Sequence, residues 1–127
     1  MIGLSLALQA AFLCGSPYLH DGDNIRCAGG PTMRLARIQA PELLGSPRCG
    51  RGCDGQAGLR SRDHLRRLVA GRRVTCEVVD ASPSIPGFQS ADQYGRPVVR
   101  CSADGVGDLS EAQVRAGHAR RWPSSQR

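Results

Sequence analysis

The sequence predicts a small α+β domain with the element order β-β-β-α-β-β-α. Short alternating runs of apolar and β-branched residues lie on both sides of one amphipathic stretch with helical period. The chain has 127 residues, the length of one domain, and only 4% of them are aromatic. We therefore expect a single modest core built from Val, Leu, Ile and Ala.

The first third of the chain predicts three strands that form a meander, in residues 12–19, 24–28 and 33–38. Gly15 and Pro17 interrupt the first run, which is typical of a bent or edge strand. The other two runs alternate around an Ala-Gly-Gly-Pro turn.

The third strand ends in a segment that decides where two polar side chains point. A period of two places Arg34 and Gln39 on opposite faces, unless the chain bends at residues 40–41. A long loop rich in Gly and Pro follows over residues 40–56, and loops of this length are often functional.

The rest of the chain predicts a helix, two strands and a second helix, over residues 57–70, 74–79, 97–102 and 109–116. The first helix has an apolar stripe with arginines outside it, and Gly71 ends it. Asp108 or Ser110 caps the second helix, and Gly117 closes it. Together with the meander, these elements are compatible with a small five-stranded β-barrel of the OB type.

The two ends of the chain are expected to lie outside this domain, which covers residues 12–119. Residues 1–11 are almost wholly apolar but too short to span a bilayer, and they are similar to the apolar part of a secretory signal. A positive n-region is missing, so a helix or a first strand is the alternative. Residues 120–127 predict a frayed tail, and we expect no membrane span and a monomer.

Six cysteines in so short a chain favour an oxidising compartment, so we expect a periplasmic or secreted protein. A zinc site is the competing interpretation, but there is no Cys-x-x-Cys pair and the histidines are not spaced as ligands. Of the fifteen possible pairings, one joins Cys14 to Cys27, Cys49 to Cys53 and Cys76 to Cys101.

The charge of the chain suits a polyanionic partner such as nucleic acid. All 17 basic residues are arginine and stand against 11 acids, for a net charge of +6. A solvated basic surface without such a partner is the plainer interpretation.

Residues 20–42 carry the side chains with the clearest chemical potential. Asp21, Asp23 and Glu42 supply hard oxygen ligands or a general base, and Arg34 and Arg37 supply guanidinium groups. The segment could therefore hold a divalent cation and bind a phosphate. The acids alone could equally shape a turn, and Arg34 could pair with Glu42 as a structural bridge.

Four ordered sequence blocks resemble the staphylococcal nuclease (thermonuclease) family, and the resemblance covers nearly the whole chain. It implies an OB-fold domain that hydrolyses the phosphodiester backbone of DNA and RNA with a calcium ion and little sequence preference. The blocks are Asp21-Gly22-Asp23, Arg34-Leu35 with Ala40-Pro41-Glu42, Asp92-Gln93-Tyr94-Gly95-Arg96, and Asp108-Leu109 with Ala116-Gly117-His118-Ala119.

The resemblance implies a role for each matching residue. Glu42 would act as general base or orient the attacking water. Arg34 and Arg96 would bind the phosphate from two sides and stabilise the charge of the transition state. Tyr94 would contact the nucleotide.

The metal site departs from the family pattern at one position. Asp23 would ligate calcium, with Asp21 next to it and the backbone carbonyl of Ala40 available. At Gln39 the family usually has an aspartate, and glutamine keeps an oxygen but loses a full negative charge. We expect weaker calcium binding at Gln39, or a nuclease-like domain that binds nucleic acid or protein without cleavage. A disulfide-stabilised basic module with no nucleic-acid role is a third possibility.

Overall fold

The computed structural model describes residues 11–79 and 95–122, and it has the predicted α+β class with two helices. Within these ranges the elements are β1 (Phe12–Leu13), β2 (Asn24–Arg26), β3 (Thr32–Leu35), β4 (Ile38–Gln39), α1 (Gly55–Val69), β5 (Val74–Val78), β6 (Val98–Ala103), β7 (Gly107–Asp108), α2 (Leu109–Arg115) and β8 (Arg120–Arg121). Residues 1–10, the candidate signal, lie outside the described residues.

One mixed sheet holds most of the strands in the order β1-β5-β6-β3-β2, and β7 pairs with β6. The pairing of β3 with β6 is parallel and brings Arg34 opposite Val98. The other ladders of this sheet are antiparallel. Because β3 is a neighbour of both β2 and β6, residues from the first and last thirds of the chain meet on β3.

The described strands do not close into the five-stranded barrel that the sequence predicts. The segment that follows β1 nevertheless reaches the opposite edge strand, β2. Tyr18 and Arg26 form an isolated antiparallel bridge, with N–H to O distances of 2.8 and 3.0 Å. A disulfide joins Cys14 to Cys27 just beyond that bridge. Strand pairing thus leaves the sheet open, while one bridge and one disulfide link its two edges.

The predicted third strand is broken, and it bends at residues 36–37 rather than at residues 40–41. A turn at Ala36 and Arg37 separates β3 from β4, and Arg37 has the positive φ of 68°. The turn changes the register, so the alternation of faces across residues 33–38 does not hold. The side chains of Arg34 and Gln39, predicted to point apart, come into contact.

All six cysteines form disulfides, with the pairing Cys14–Cys27, Cys49–Cys53 and Cys76–Cys101. The suggested pairing is confirmed. Cys76 and Cys101 stand directly opposite each other on β5 and β6. Sulfurs held in disulfides are not thiolate ligands, so the zinc interpretation is not supported.

The core is aliphatic, as the low aromatic content predicts. Leu65 and Val69 from α1 and Leu109 from α2 pack onto the buried face of the sheet. Full burial of one such side chain stabilises the fold by roughly 1.5 to 3 kcal/mol. The strands contribute the rest, including Ile25, Met33, Leu35, Val74 and Val99.

The helix ends follow the capping rules. The carboxylate of Asp54 accepts the Ala57 N–H at 3.1 Å, and that of Asp108 accepts the Glu111 N–H at 2.9 Å. Asp108 rather than Ser110 is therefore the N-cap of α2. Gly117 has a φ of 79° just beyond that helix.

The segment after α2 is paired as far as residue 122, although we expected fraying from residue 120. Arg120 and Arg121 form β8 against β4, and the Trp122 N–H donates to the Arg37 carbonyl oxygen at 2.9 Å. Residues 123–127 lie outside the described residues. Neither described helix has the length and apolar character needed to cross a membrane.

Candidate active site

Six of the predicted site residues line one cavity of about 230 Å³. The acidic turn before β2, the strand β3 and the loop after β4 contribute its walls, and Arg96 enters from the segment before β6. Tyr94, the predicted nucleotide contact, lies outside the described residues. The six are Asp21, Asp23, Arg34, Ala40, Glu42 and Arg96.

Asp23 is the most buried of these acids, with 5% of its surface exposed. One carboxylate oxygen accepts the Ala40 N–H at 2.8 Å and a guanidinium N–H of Arg34 at 3.0 Å. Burial raises the pKa of Asp23 to about 7, while Arg34 lowers it and the neighbouring carboxylate of Asp21 raises it further. This carboxylate is fixed in position and desolvated. Whether it is ionised depends on the balance between burial, Arg34 and Asp21.

Asn24 connects the acids to Arg96, a role for which the sequence carries no signal beyond its place after the acidic turn. Its amide nitrogen donates to both oxygens of Asp21, at 2.8 and 3.0 Å, and to Asp23 at 3.1 Å. Its amide oxygen accepts a guanidinium N–H of Arg96 at 3.1 Å. One neutral side chain therefore holds two carboxylates and one cation in a common arrangement.

Arg34 is held on several sides. Besides Asp23, its guanidinium donates to the Ile38 carbonyl oxygen at 2.6 Å and to the Gln39 side-chain oxygen at 3.3 Å. The guanidinium carbon lies 5.8 Å from the centre of the Trp122 ring. Trp122 was not predicted as a site residue, because only the pairing of β8 with β4 brings it there.

Gln39 lies beside this cavity and lines a neighbouring one of about 410 Å³. Ala40, Pro41 and Glu42 form the wall that the two cavities share. The amide oxygen of Gln39 reaches Arg34, so the turn at residues 36–37 places this side chain at the edge of the site.

Glu42 is placed by close packing between its loop and α1. A Cβ atom at Gly58 would overlap the carbonyl oxygen of Glu42, so only glycine permits this approach. At Gly55, one turn earlier, an added Cβ would lie 2.6 Å from Leu44 Cα. The glycines of α1 thus set the position of the loop that carries Glu42.

A buried polar network fixes the acidic turn on the two helices. Gln113 is fully buried, and its amide nitrogen donates to the Gly22 carbonyl oxygen at 2.9 Å and to the Ser61 carbonyl oxygen at 3.0 Å. The Ser61 hydroxyl donates to the His118 carbonyl oxygen at 2.7 Å. The Gln113 amide oxygen accepts from His64. Gln113 lies at a position where helical period alone predicts a packing residue, so this role was not predicted.

The oxygen donors near Asp23 suit a hard divalent cation, but they are weak in charge. Asp21, Asp23, the Gln39 amide and the Ala40 carbonyl are oxygen ligands of the kind that calcium takes. In the described residues, the group of three Cys, His, Asp or Glu ligand atoms within 4.8 Å of one another consists of disulfide cysteines, Cys14, Cys27 and Cys76. In these residues Asp21 and Asp23 supply two carboxylates, and they do not belong to a group of three Asp, Glu or His ligand atoms within that distance.

The site places two arginines, which can bind an anion, near the carboxylate of Glu42. Arg34 and Arg96 offer guanidinium groups to one cavity, and Glu42 lies on the wall shared with its neighbour. Such a site can bind a phosphate and orient a water molecule.

In comparisons with known proteins, the chain matches no family model and no curated protein.

Proposed function

We propose that the chain is a calcium-dependent nuclease of the staphylococcal nuclease type, which hydrolyses phosphodiester bonds of DNA or RNA with little sequence preference. One observation carries the proposal. Asp23, Arg34 and Glu42, from residues 20–42, line the same cavity as Arg96, which follows more than 50 positions later. A merely structural set of turn acids and surface arginines has no reason to converge in this way.

The chemistry follows from the residue types. The two arginines, Arg34 and Arg96, bind the non-bridging oxygens of a phosphate and stabilise the extra negative charge of the transition state. Glu42 orients the attacking water and accepts its proton. A bound calcium ion supplies additional positive charge at the phosphate. Asn24 keeps Arg96 beside the acids through the hydrogen bond of 3.1 Å.

The strand arrangement supports an OB-type domain as the scaffold. Barrels of this type have five strands and are partly open. The five-strand path β1-β5-β6-β3-β2, with a bridge and a disulfide between its edges, is compatible with such an open barrel. The three disulfides support export to the periplasm or the cell exterior.

A second candidate is a nuclease-like domain that binds nucleic acid without cleaving it. Gln39 favours this function, because its amide contributes no charge to a cation site. The ion pair of 3.0 Å between Arg34 and Asp23 also occupies a carboxylate oxygen that a cation would need. The net charge of +6 would still attract a polyanion.

The test is cleavage of single-stranded DNA by the purified chain, with millimolar calcium or with a chelator. We expect cleavage that requires calcium and falls by at least about 100-fold in Glu42→Gln, the usual size of a general-base effect. An exposed control, Asp104→Asn, should cleave like the parent. A folded parent that binds the DNA but leaves it intact at any calcium concentration would select the second candidate.

A further inference from the structure

A stacked pair of side chains, Tyr18 and Arg26, stands next to the candidate active site. Their backbones hydrogen-bond to each other at 2.8 and 3.0 Å, and the Arg26 guanidinium carbon lies 5.2 Å from the centre of the Tyr18 ring. Tyr18 is nonetheless 48% exposed. The ring is therefore held in one place with much of its surface open to solvent.

This pair lies on the same face of the sheet as the active-site residues. Asn24 and Arg26 are two residues apart in β2, so their side chains leave the same face. Their partners across the ladder are Arg34 and Thr32, respectively. At a rise of about 3.3 Å per residue, Arg26 lies roughly 7 Å along the strand from Asn24. That distance is about twice the 3.4 Å step between stacked nucleotides.

A small cavity lies between the pair and the candidate site. Tyr18 and Arg26 line a cavity of about 160 Å³ and also a second one of about 290 Å³. Neither lining includes an Asp or Glu among the residues that the structure describes. The smaller cavity shares three lining residues with the active-site cavity, namely His20, Asn24 and Thr32.

We propose that Tyr18 and Arg26 form a base-stacking subsite for single-stranded nucleic acid, one or two nucleotides from the phosphate bound in the active-site cavity. The inference rests on the proposed function and adds a strand preference to it. An exposed tyrosine ring accepts the face of any unpaired base, and the adjacent arginine contributes positive charge for the backbone. Bases inside a duplex are already stacked on one another and cannot use the ring.

The subsite should increase affinity only for strands long enough to reach the Tyr18 ring. A single nucleoside phosphate would occupy only the active-site cavity, whereas a longer single strand would also reach the ring. The sequence alone offers few stacking platforms. The bridge between Tyr18 and Arg26 makes one of these few aromatic residues available next to the site.

The experiment measures binding of a fluorescent single strand of about ten nucleotides, a length within the usual site sizes, by anisotropy. The full chain is used in chelator, so that a metal-dependent reaction cannot consume the probe. We expect Tyr18→Ala to weaken binding by about 5- to 100-fold, while Tyr18→Phe stays within about 2-fold because the stacking ring is kept. Arg26→Ala should weaken binding. It should also reduce, by about 0.7, the slope of the logarithm of the binding constant against the logarithm of the salt concentration.

Controls separate this subsite from the proposed hydrolysis. Tyr18→Phe keeps the ring and controls for loss of the hydroxyl group, and thermal unfolding of Tyr18→Ala shows whether the fold tolerates the substitution. Equal affinity of Tyr18→Ala and parent for the single strand would overturn the subsite, even if the parent cleaves DNA. A parent that binds the strand through Tyr18 but cleaves nothing would remove the hydrolysis and retain the subsite. Equal losses for a duplex of the same length would also contradict stacking of an unpaired base.

Discussion

The side chain of Gln113 donates a hydrogen bond to the Gly22 carbonyl oxygen, 2.9 Å away, across 91 positions of sequence. Gly22 is the middle residue of the acidic turn that carries Asp21 and Asp23. A Cβ atom at Gly22 would overlap the Ser61 hydroxyl, so the turn lies directly on α1. The geometry of the candidate metal ligands is therefore set from the helices behind them.

Replacing Gln113 with methionine should destabilise the fold and loosen the acidic turn. Methionine has a similar volume, but it removes the donor to the buried Gly22 carbonyl oxygen and the acceptor for His64. Such loss costs about 1 to 3 kcal/mol. Urea unfolding of Gln113→Met measures it, and the exposed Gln56→Met in α1 is the matched control. A free energy of unfolding equal to that of Gln56→Met would contradict the role of Gln113.

The close approach of α1 to Glu42 predicts that an alanine at Gly58 lowers the free energy of unfolding, the opposite of its usual effect in a helix. In an unconstrained helix interior, glycine to alanine stabilises by about 1 kcal/mol. We expect Gly58→Ala to destabilise instead, by about 1 to 3 kcal/mol, because the new Cβ overlaps the Glu42 carbonyl oxygen. Any cleavage activity should fall with it, since Glu42 must move.

The control for this experiment is Gly50→Ala, where an added Cβ meets nothing within 4 Å. Thermal unfolding of both variants gives the comparison. A Gly58→Ala protein that is more stable than the parent would show that the loop of Glu42 does not depend on this contact.

The raised pKa of Asp23 predicts how stability depends on pH in the metal-free protein. Its carboxyl has a pKa of about 7 in the folded state and an ordinary value of 3.8. Between these values the folded protein holds more protons than the unfolded chain, so the free energy of unfolding falls as pH rises from about 4 to 7. Asp23→Asn should remove this fall.

Urea unfolding at several pH values measures the difference between the parent and Asp23→Asn. Asp23→Asn is needed as the reference because a second group has the opposite effect. Burial lowers the pKa of His118, and this makes the free energy of unfolding rise with pH. Saturating calcium should also flatten the curve of the parent, because the cation favours the ionised carboxylate. Identical pH curves for the parent and Asp23→Asn would contradict the raised pKa.

Much of the fold follows from local sequence signals. Alternation, helical period and capping residues such as Asp108 depend on near neighbours, so they predict the elements directly. The cysteine pairs Cys14–Cys27 and Cys76–Cys101 could be suggested because each joins segments predicted as strands that pair or lie close together.

The errors have a common cause in long-range structure. Arg37 has a positive φ, which is uncommon for arginine and was not predicted. The resulting turn brings the Gln39 side chain to Arg34. Gln113 and Trp122 acquire their contacts only when distant elements pack together. Six of the site residues predicted from sequence blocks line one cavity, whereas the residues that hold them in place had no motif to reveal them.

The calcium dependence of DNA cleavage by the parent and by Gln39→Asp tests the proposed nuclease most directly. Placing a carboxylate next to Arg34 should lower the half-saturating calcium concentration by about tenfold or more, because hard-cation affinity follows ligand charge. Glu42→Gln in the same background should then cleave poorly at any calcium concentration. If neither the folded parent nor folded Gln39→Asp cleaves single-stranded DNA, the site is not that of a nuclease.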